Sequence, residues 1–325
     1  MKKWIASAVL GCLASVGAGA ESFPVKPITI VVPFPAGGPT DRVARDLALA
    51  LRKPLGDVAV QVENIAGAGS AIGTTRVARA APDGYTLLLN HIAMATMQTL
   101  VRSATFKVET DFEYLGLINE VPMTIVGRNT LPAKSFKDLV AWVGQNKGNT
   151  SLGHAGLGSA SHLCGLLLQS ALHAAMTPVA YKGTAPAMTD LVGGQIDLLC
   201  DQTTNTSQQI EAKTVTAFAV TSNRRLSTPA LKSLPTLQES GVKGFEITIW
   251  HGLYAPKGTP PEVVSKLNTA MRAALKSAEF GKRQSDVGAV LITDRRLEPA
   301  EHKKFVLAEI AKWRPLINAA KEYVD

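Results

Sequence analysis

The chain has 325 residues, of which 46% are hydrophobic and 18% charged, and its formal net charge is +8. This composition excludes a disordered or collagen-like polymer, and the length is typical of about two ordinary domains. The basic residues are scattered rather than clustered. Nucleic-acid binding is therefore not expected, whereas attraction of small anions agrees with the sign of the charge.

The N-terminus has the pattern of an export signal. Two lysines precede an apolar stretch, and the small residues Ala18 and Ala20 fit the cleavage rule, so residues 1–20 are predicted to be a signal peptide. The apolar stretch is shorter than the roughly 20 residues of a membrane span. We therefore expect a mature chain outside the cytoplasm. Val9–Cys12 loosely resembles a lipoprotein box, but the leucine two positions before the cysteine is unusual there, and a lipid anchor at Cys12 is not favoured.

Strands and helices alternate along the chain, which is typical of α/β proteins with mostly parallel sheets. Continuous apolar runs predict buried strands, and apolar residues at helical spacing predict helices. In the first part of the chain these are strands Ile28–Pro33, Val58–Glu63 and Tyr85–Asn90, helices Thr40–Lys53 and Ser70–Ala81, and apolar strand material over Tyr114–Val126 that is interrupted by Pro122.

The rest of the chain has the same alternation and ends in two helices, the first beginning at Pro261, a residue favoured at helix starts. Ser135 is a plausible helix N-cap. The predicted helices are Ser135–Gln145, Ser161–Leu172, Ala185–Gly193, Pro261–Ser277 and Pro299–Glu322; the predicted strands are Thr150–Gly153, Thr177–Tyr181, Ile196–Cys200, Val215–Val220 and Glu246–Tyr254. The pattern indicates two α/β halves. A chain that crosses to a second half and returns leaves a cleft between them.

The stretch "PFPAGGPTD" lies between the first strand and the first helix. Its glycines, Gly37 and Gly38, allow a ligand to approach the backbone closely. Free N–H groups and the helix dipole at such a turn favour an anion. The alternative is a plain turn in which Thr40 or Asp41 caps its own helix.

The stretch "HAGLGSASHL" has the same arrangement in the second half. Gly156 and Gly158 precede Ser159 and Ser161, whose hydroxyl groups can donate hydrogen bonds as well as cap a helix. Two helix N-termini facing each other across a cleft would hold one carboxylate from both sides.

Other motifs are weaker. Gly67, Gly69 and Gly73 follow a strand, but their spacing is one residue longer than the dinucleotide fingerprint, and neither a phosphate P-loop nor a G-x-S-x-G elbow occurs. The histidines lack metal-ligand spacing, so neither a cofactor nor a metal is expected. Ser159 with His162 leaves open a secreted hydrolase or transferase, although a histidine in a first helical turn is more often a capping or packing residue.

Three further positions have two interpretations each. Asp201 follows the strand "QIDLLC", where it could hold an ammonium or hydroxyl group of a ligand, or simply form a turn. The polar run Gln202–Asn205 could bind a ligand or be a solvated loop. Cys164 and Cys200 could form a disulfide in an oxidising compartment or remain buried thiols.

Several stretches, in order, cover most of the mature chain and together are specific: "PITIVVPFPAGGPTDRVAR", "VENIAGAGSAIGTTRVARAAPDGYTLLL", "GLGSASHLCGLL", "VAYKGTAPAMTDLVGGQIDLLCDQTTN", "AVTSNRR", "LPTLQESGVKGFE" and "IWHGLYAPKGTP". In these stretches the chain resembles the periplasmic solute receptors of tripartite tricarboxylate transporters, the Bug receptors.

The resemblance implies a type II periplasmic-binding-protein fold with two α/β lobes, residues 21–124 with 245–325 and residues 125–244, and a ligand cleft between them. It implies a receptor rather than an enzyme. Such a receptor closes on a small di- or tricarboxylate or an aromatic carboxylate and delivers it to membrane permease subunits. We expect a periplasmic monomer without a cofactor. An amino-acid receptor, with Asp201 on the ammonium group, and a sensor subunit stay open as alternatives.

The family's ligand contacts map onto the motif residues of this chain. By resemblance, the ligand-binding residues are Phe34, Ala36, Gly37, Gly38, Thr40, Asp41, Asn90, His91, Gly156, Gly158, Ser159, Ala160, Ser161, His162 and Asp201, with Ile92 and Ala93 in the loop after the third strand. Pro35 departs from the small residue usual in the family; it removes one N–H donor and stiffens the loop.

Overall fold

The computed structural model describes residues 23–101 and 104–320. The expected signal peptide, residues 1–20, and the alternative anchor at Cys12 lie outside these residues. Within the described ranges, no helix is both long and apolar enough to cross a membrane.

Ten strands and ten helices follow one another within those ranges. The strands are β1 (Ile28–Val32), β2 (Val60–Asn64), β3 (Thr86–Asn90), β4 (Phe112–Arg128), β5 (Ser151–His154), β6 (Thr177–Ala180), β7 (Leu198–Gln202), β8 (Val215–Val220), β9 (Thr248–Pro256) and β10 (Val290–Leu291). The helices are α1 (Pro39–Arg52), α2 (Ala71–Ala78), α3 (Ala93–Leu100), α4 (Phe136–Gln145), α5 (Ala160–Leu172), α6 (Thr184–Val192), α7 (Thr203–Glu211), α8 (Pro261–Leu275), α9 (Ala278–Ser285) and α10 (Pro299–Ala320). The α/β class is confirmed.

The first half of the sheet is built around β1. Strands β2 and β3 flank it in parallel, and β9 pairs antiparallel with β3. Residues Ile28 and Ile30 of β1 pack into one core cluster, while Val31 packs into another on the opposite face. Because both faces are covered, β1 is apolar except at Thr29. Its carboxyl end leads into the loop before α1, at the sheet edge where clefts form.

Strand β4 joins the two halves of the sheet. Up to Pro122 it pairs antiparallel with β9, and from Met123 onward it pairs antiparallel with β7 and β8. The expected interruption at Pro122 is wrong, because this proline stands where the strand changes partners and its missing N–H disturbs the ladder least. The expectation of mostly parallel sheets is also wrong, since strands that cross between the halves run against those they join, and the sheet is mixed.

The second half of the sheet has the order β6, β5, β7, β4, with β5 parallel to both of its neighbours. Strands β5, β6 and β7 each lead at their carboxyl end into a helix, α5, α6 and α7 respectively. Three helix N-termini of this half therefore lie along one edge of the sheet.

Thr221 fastens the two segments that connect the halves. Its Oγ1 accepts a hydrogen bond from the Met123 N–H (2.8 Å) and donates to the carbonyl oxygen of Ile247 (2.6 Å). Met123 belongs to β4, which leads out of the first half, and Ile247 immediately precedes β9, which leads back. Thr221 is fully buried, so this connection is shielded from water.

Some elements of the described chain were not predicted from the sequence. Helix α3 is buried around most of its surface and lacks the polar stripe of an amphipathic helix. Helix α7 begins inside the polar run Gln202–Asn205, so the solvated-loop interpretation is wrong from Thr203 onward, although these residues are weak helix formers. Helix α9 and β10 lie between the two expected terminal helices. The predicted N-cap at Ser135 is confirmed by a capping box with Asp138.

Candidate functional site

The loop before α1 is held by a buried carboxylate. Gly38 is the N-cap of the helix, and Gly37, at φ 78°, donates its N–H to Asp41 Oδ2 (2.9 Å). Asp41 also accepts from Arg45 Nε (2.8 Å) and Asn64 Nδ2 (2.9 Å). Burial alone would raise the pKa of Asp41, but these hydrogen bonds, led by that of Arg45, lower it. Asp41 therefore shapes the loop as an ionised group.

The loop before α5 is held by two serine hydroxyl groups. Ser159, the N-cap, accepts from the His162 N–H (3.3 Å), and Ser161 Oγ accepts from the Ala155 N–H (2.9 Å). The two hydroxyl oxygens are 3.1 Å apart, so one of them donates to the other. One of the two hydroxyl protons is used in this way, and the second is left for a ligand.

A third turn, before α6, belongs to the site and was missed from the sequence. Gly183 precedes the helix at φ 110°, and a Cβ atom added there would lie 2.9 Å from Pro35 Cγ. Glycine is therefore needed for the start of α6 to approach the loop before α1. The signal was present, because "VAYKGTAPA" has the same order of strand, glycine and helix as the two recognised turns.

These turns surround a small cavity of about 40 Å³, here named the inner cavity. Its lining contains nine predicted site residues, Phe34, Ala36, Gly38, Thr40, His91, Ser159, Ala160, Ser161 and Asp201, together with Pro35, Pro39, Ala155, Gly183, Thr184, Ala185 and Gln202. The N-terminal ends of α1, α5 and α6 all contribute, from both halves of the sheet. Because the first N–H groups of a helix have no partner inside it, this arrangement favours an anion.

The remaining predicted residues lie outside this lining. Gly37 and Asp41 bond each other, and Asn90 bonds Thr74 Oγ1 (3.1 Å) and the next residue's N–H. Gly156 lines a neighbouring cavity, and Gly158 donates its N–H to His162 Nδ1 (3.3 Å). The His162 ring packs 4.9 Å from that of His154 and lines a separate cavity. The hydrogen bond between Ser159 and His162 runs from the His162 backbone N–H to the serine oxygen.

His91 is a neutral donor or acceptor rather than a cation. Its ring stacks on Phe34 with centroids 4.3 Å apart, and its Nδ1 accepts the Ala93 N–H (3.0 Å), which places the ring proton on Nε2. Burial, together with the nearby His251, holds the pKa of His91 well below its usual value. Since the described lining of the inner cavity contains neither lysine nor arginine, an anion placed there would meet amide and hydroxyl dipoles rather than a cationic side chain.

Asp201 is the acidic residue in the lining of the inner cavity. It is fully buried at the end of β7, and its Oδ2 accepts from Asn205 Nδ2 (2.6 Å). Burial raises the pKa of Asp201 to about 7, against the lowering effect of the Asn205 hydrogen bond. The carboxyl group can therefore be neutral beside a bound carboxylate or ionised beside a cation.

A larger cavity of about 380 Å³, here named the outer cavity, adjoins the inner one. The two share Phe34, Pro35, Ala155, Ser159 and Gly183. The outer cavity is lined by small residues of the segment Ala66–Ser70 and by Tyr181 and Lys182. A ligand seated in the inner cavity can therefore extend outward past Pro35 and Gly183. No group of three or more His, Cys, Asp or Glu side chains in the described ranges is arranged to hold a metal.

An α/β protein in which helix N-termini from both halves of a sheet surround one buried cavity has the architecture of a two-lobed periplasmic binding protein. The family model described as "Tripartite tricarboxylate transporter family receptor" matches residues 43–321. The chain belongs to this family, whose members are solute-binding receptors rather than enzymes.

Solved structures are similar over nearly the whole chain. The periplasmic binding protein BugD is 48% identical, and the match covers 93% of this chain and 99% of BugD with a TM-score of 0.88. MatC from Rhodopseudomonas palustris, with bound malate, is 36% identical over 91% of this chain and 100% of its own, with a TM-score of 0.85. A second R. palustris protein, with adipate, is 33% identical; the match covers 92% of this chain and 98% of that protein, with a TM-score of 0.85.

Proposed function

We propose that this receptor captures a small carboxylate in the inner cavity. The observation that carries the proposal is the meeting of the N-termini of α1, α5 and α6 around that cavity. Charge-assisted hydrogen bonds contribute about 1.5–3 kcal/mol each. Four such bonds at the upper end of this range, about 12 kcal/mol, less the lowest association cost of about 4 kcal/mol, leave about −8 kcal/mol, which corresponds to micromolar affinity.

The ligand class is a di- or tricarboxylate or an aromatic carboxylate. Two similar structures hold malate and adipate, both of which have two carboxylate groups. The inner cavity suits one carboxylate, and the outer cavity, with Lys182 in its lining, has room for the rest of the molecule and a second anionic group.

Closure of two lobes completes the site. We assign residues 21–124 and 245–325 to one lobe and residues 125–244 to the other, because the connecting segments cross beside Met123 and Thr221. Close approaches between the halves support a closed arrangement: a Cβ at Gly69 would lie 2.8 Å from the carbonyl oxygen of Leu157. A ligand that touches both lobes favours this state by its extra contacts.

Export and delivery complete the proposal. Residues 1–20 direct the chain to the periplasm, where it acts as a monomer and hands its ligand to membrane permease subunits. The description of the family as receptors of a tripartite transporter supports this step. Deleting the gene in its host should abolish uptake of the ligand, and uptake at the wild-type rate would contradict delivery to a permease.

Thermal denaturation against a panel of organic acids tests the receptor function. A ligand at a hundredfold excess over its Kd stabilises the folded state by about 2.7 kcal/mol, which raises the melting temperature by several degrees. We expect at least one carboxylate to do so, and calorimetry should then give one binding site per chain. A panel of mono-, di- and tricarboxylates that leaves the melting temperature unchanged would contradict the proposal.

A further inference from the structure

Two residues in the lining of the inner cavity have buried side-chain acceptor atoms. Asp201 Oδ1 and Gln202 Oε1 have no hydrogen-bond partner in the described part of the chain, and the two residues are 0% and 3% exposed. Both residues line the inner cavity. An unpaired acceptor in a buried site costs free energy, so these two oxygens call for a donor from a ligand.

A chain of buried hydrogen bonds begins at a surface ion pair and runs towards the same cavity. Arg283 Nη1 lies 3.3 Å from Asp46 Oδ1, and this carboxylate accepts from Gln284 Nε2 (2.9 Å). Since a carboxylate only accepts, the Gln284 amide must present its oxygen on the other side. That oxygen accepts from Asn119 Nδ2 (2.7 Å). The Asp46 carboxylate therefore orients the Gln284 amide, which in turn orients the Asn119 amide.

The remaining steps fix the hydroxyl proton of Thr40. With its NH₂ group committed, Asn119 presents Oδ1 to His251 Nδ1 (2.8 Å), so this nitrogen carries the ring proton. Burial lowers the pKa of His251 to about 3, which leaves the ring neutral and makes Nε2 an acceptor. Thr40 Oγ1, 3.4 Å from Nε2, must donate to it. Towards the inner cavity, the Thr40 hydroxyl can then only accept.

We propose that Asp201 Oδ1, Gln202 Oε1 and Thr40 Oγ1 form a subsite for a hydrogen-bond donor of the ligand. The subsite rests on the proposed function, and it narrows the ligand to a carboxylate that also bears a hydroxyl or ammonium group. Asp46, Gln284, Asn119 and His251 are positioning residues, because they act on the ligand only through Thr40.

The size of the inner cavity sets the spacing of the two ligand groups. A volume of about 40 Å³ is roughly three times the ~10–15 Å³ that one water requires. Helix N-termini and the three acceptors line this same space. A carboxylate and a donor that both reach it should therefore lie close together in the ligand, as they do in α-hydroxy and α-amino acids.

Calorimetry on the mature chain with two matched sets of probes tests the subsite. The first set shares a four-carbon diacid skeleton: succinate has no donor on it, malate has a hydroxyl group and aspartate has an ammonium group. The second set has one carboxylate and the same series of groups in propionate, lactate and alanine. We expect the hydroxyl or the ammonium probe to bind at least tenfold more tightly than the unsubstituted acid of its set. If the unsubstituted acid bound as tightly as the substituted acids of its set, the proposed subsite would be overturned but the proposed receptor function would not. Failure of all six probes and of the wider acid panel would overturn both.

Substitutions at Asp201 and Thr40 identify the donor group of the ligand and the acceptor groups of the protein. Asp201→Asn removes the charge and, because its oxygen must accept from Asn205, presents an NH₂ group in place of Oδ1, so it should weaken an ammonium probe at least tenfold and a hydroxyl probe, which can also accept, severalfold less. Thr40→Val should weaken the substituted probe severalfold more than the unsubstituted acid, and Thr40→Ser should restore the preference for the substituted probe. A Thr40→Val variant that weakens every probe equally would show a structural role only and would overturn the assignment of Thr40.

Discussion

At the scale of single residues, the serine pair of the loop before α5 is the most direct probe of carboxylate binding. Ser159 and Ser161 together leave one hydroxyl proton for a ligand. We predict that Ser159→Ala weakens carboxylate binding by about 1–3 kcal/mol, measured by calorimetry. Ser170→Ala, at an exposed position near the other end of the same helix, is the control. Unchanged affinity in Ser159→Ala would remove this serine from the site.

Asp201 also gives the folded state a dependence on pH. Burial raises the pKa of Asp201 to about 7, whereas an exposed aspartate titrates near 4. Between these values the folded chain binds more protons than the unfolded chain, so this group lowers stability by up to about 1.4 kcal/mol per unit as the pH rises. Asp201→Asn should therefore become progressively more stable, relative to the unsubstituted chain, from pH 4 to 7.

Urea denaturation at several pH values measures this difference. The buried His91, His251 and His302 have lowered pKa values. They make the folded state more stable as the pH rises, because the unfolded chain binds protons at these histidines at a higher pH than the folded chain does. They are present in both chains and cancel in the comparison. Gln208→Ala, at an exposed position of α7 where no titrating group is changed, should keep the unsubstituted pH profile. A constant difference between Asp201→Asn and the unsubstituted chain across the range would contradict the buried, neutral carboxyl group.

At the scale of elements, a disulfide connects two parts of the candidate site. Cys164 in α5 and Cys200 in β7 are bonded, with Cα atoms 6.1 Å apart and a separation of 36 positions in sequence. Helix α5 begins at the serine loop, and β7 leads to Asp201. Closing a loop of this length stabilises the folded state by about 3–4 kcal/mol in the chain-entropy account.

We predict that reduction of this disulfide lowers the free energy of unfolding by about that amount and weakens carboxylate binding. Urea denaturation with and without a thiol reductant measures the first effect while leaving the packing of both side chains intact. Cys164→Ser with Cys200→Ser is the matched variant, and it should be insensitive to the reductant. A native chain whose transition is equally insensitive would show that the bond does not contribute.

The elements also show how far sequence reasoning extends. The starts of α1 and α5 were recognised because glycines follow a strand and precede a helix, which is a local pattern. The start of α6 has that pattern too, but its role depends on contact between Gly183 and Pro35, which are far apart in sequence. The hydrogen-bond chain from Asp46 to Thr40 draws on four separate segments. Only the folded arrangement can reveal such convergence.

At the scale of the whole molecule, the proposed closure requires that two lobes move without losing their connection. Thr221 is suited to this role because one hydroxyl group bonds both crossing segments, at Met123 and Ile247. The backbone of Thr221 adds a further bond, accepting the Ile247 N–H (3.2 Å). Bonds close to a pivot change length little when lobes rotate, so they can persist in open and closed states.

We predict that Thr221→Val loosens this connection. Valine has nearly the same shape but leaves the Met123 N–H and the Ile247 carbonyl without the hydroxyl, so the free energy of unfolding should fall by about 1–3 kcal/mol. Amide hydrogen exchange should become faster at Met123, and the ligand should bind more weakly because the unliganded chain samples more open arrangements. Thr216→Val on β8, where the hydroxyl bonds Asn129 near the surface, should change neither exchange at Met123 nor affinity.

Exchange rates at the two crossing segments separate a shared pivot from two independent ones. Because the Thr221 hydroxyl bonds both segments at once, its loss should accelerate exchange at Met123, whose N–H loses its partner, and at Ile247, whose N–H bond to the Thr221 backbone carbonyl is loosened. Acceleration at Met123 alone would mean that the returning segment is held by other bonds and that the lobes turn about β4. In that case, small-angle scattering without ligand should give Thr221→Val the same distribution of molecular sizes as the unsubstituted chain. A shared pivot instead predicts a broader size distribution for Thr221→Val, which narrows when a saturating carboxylate is added.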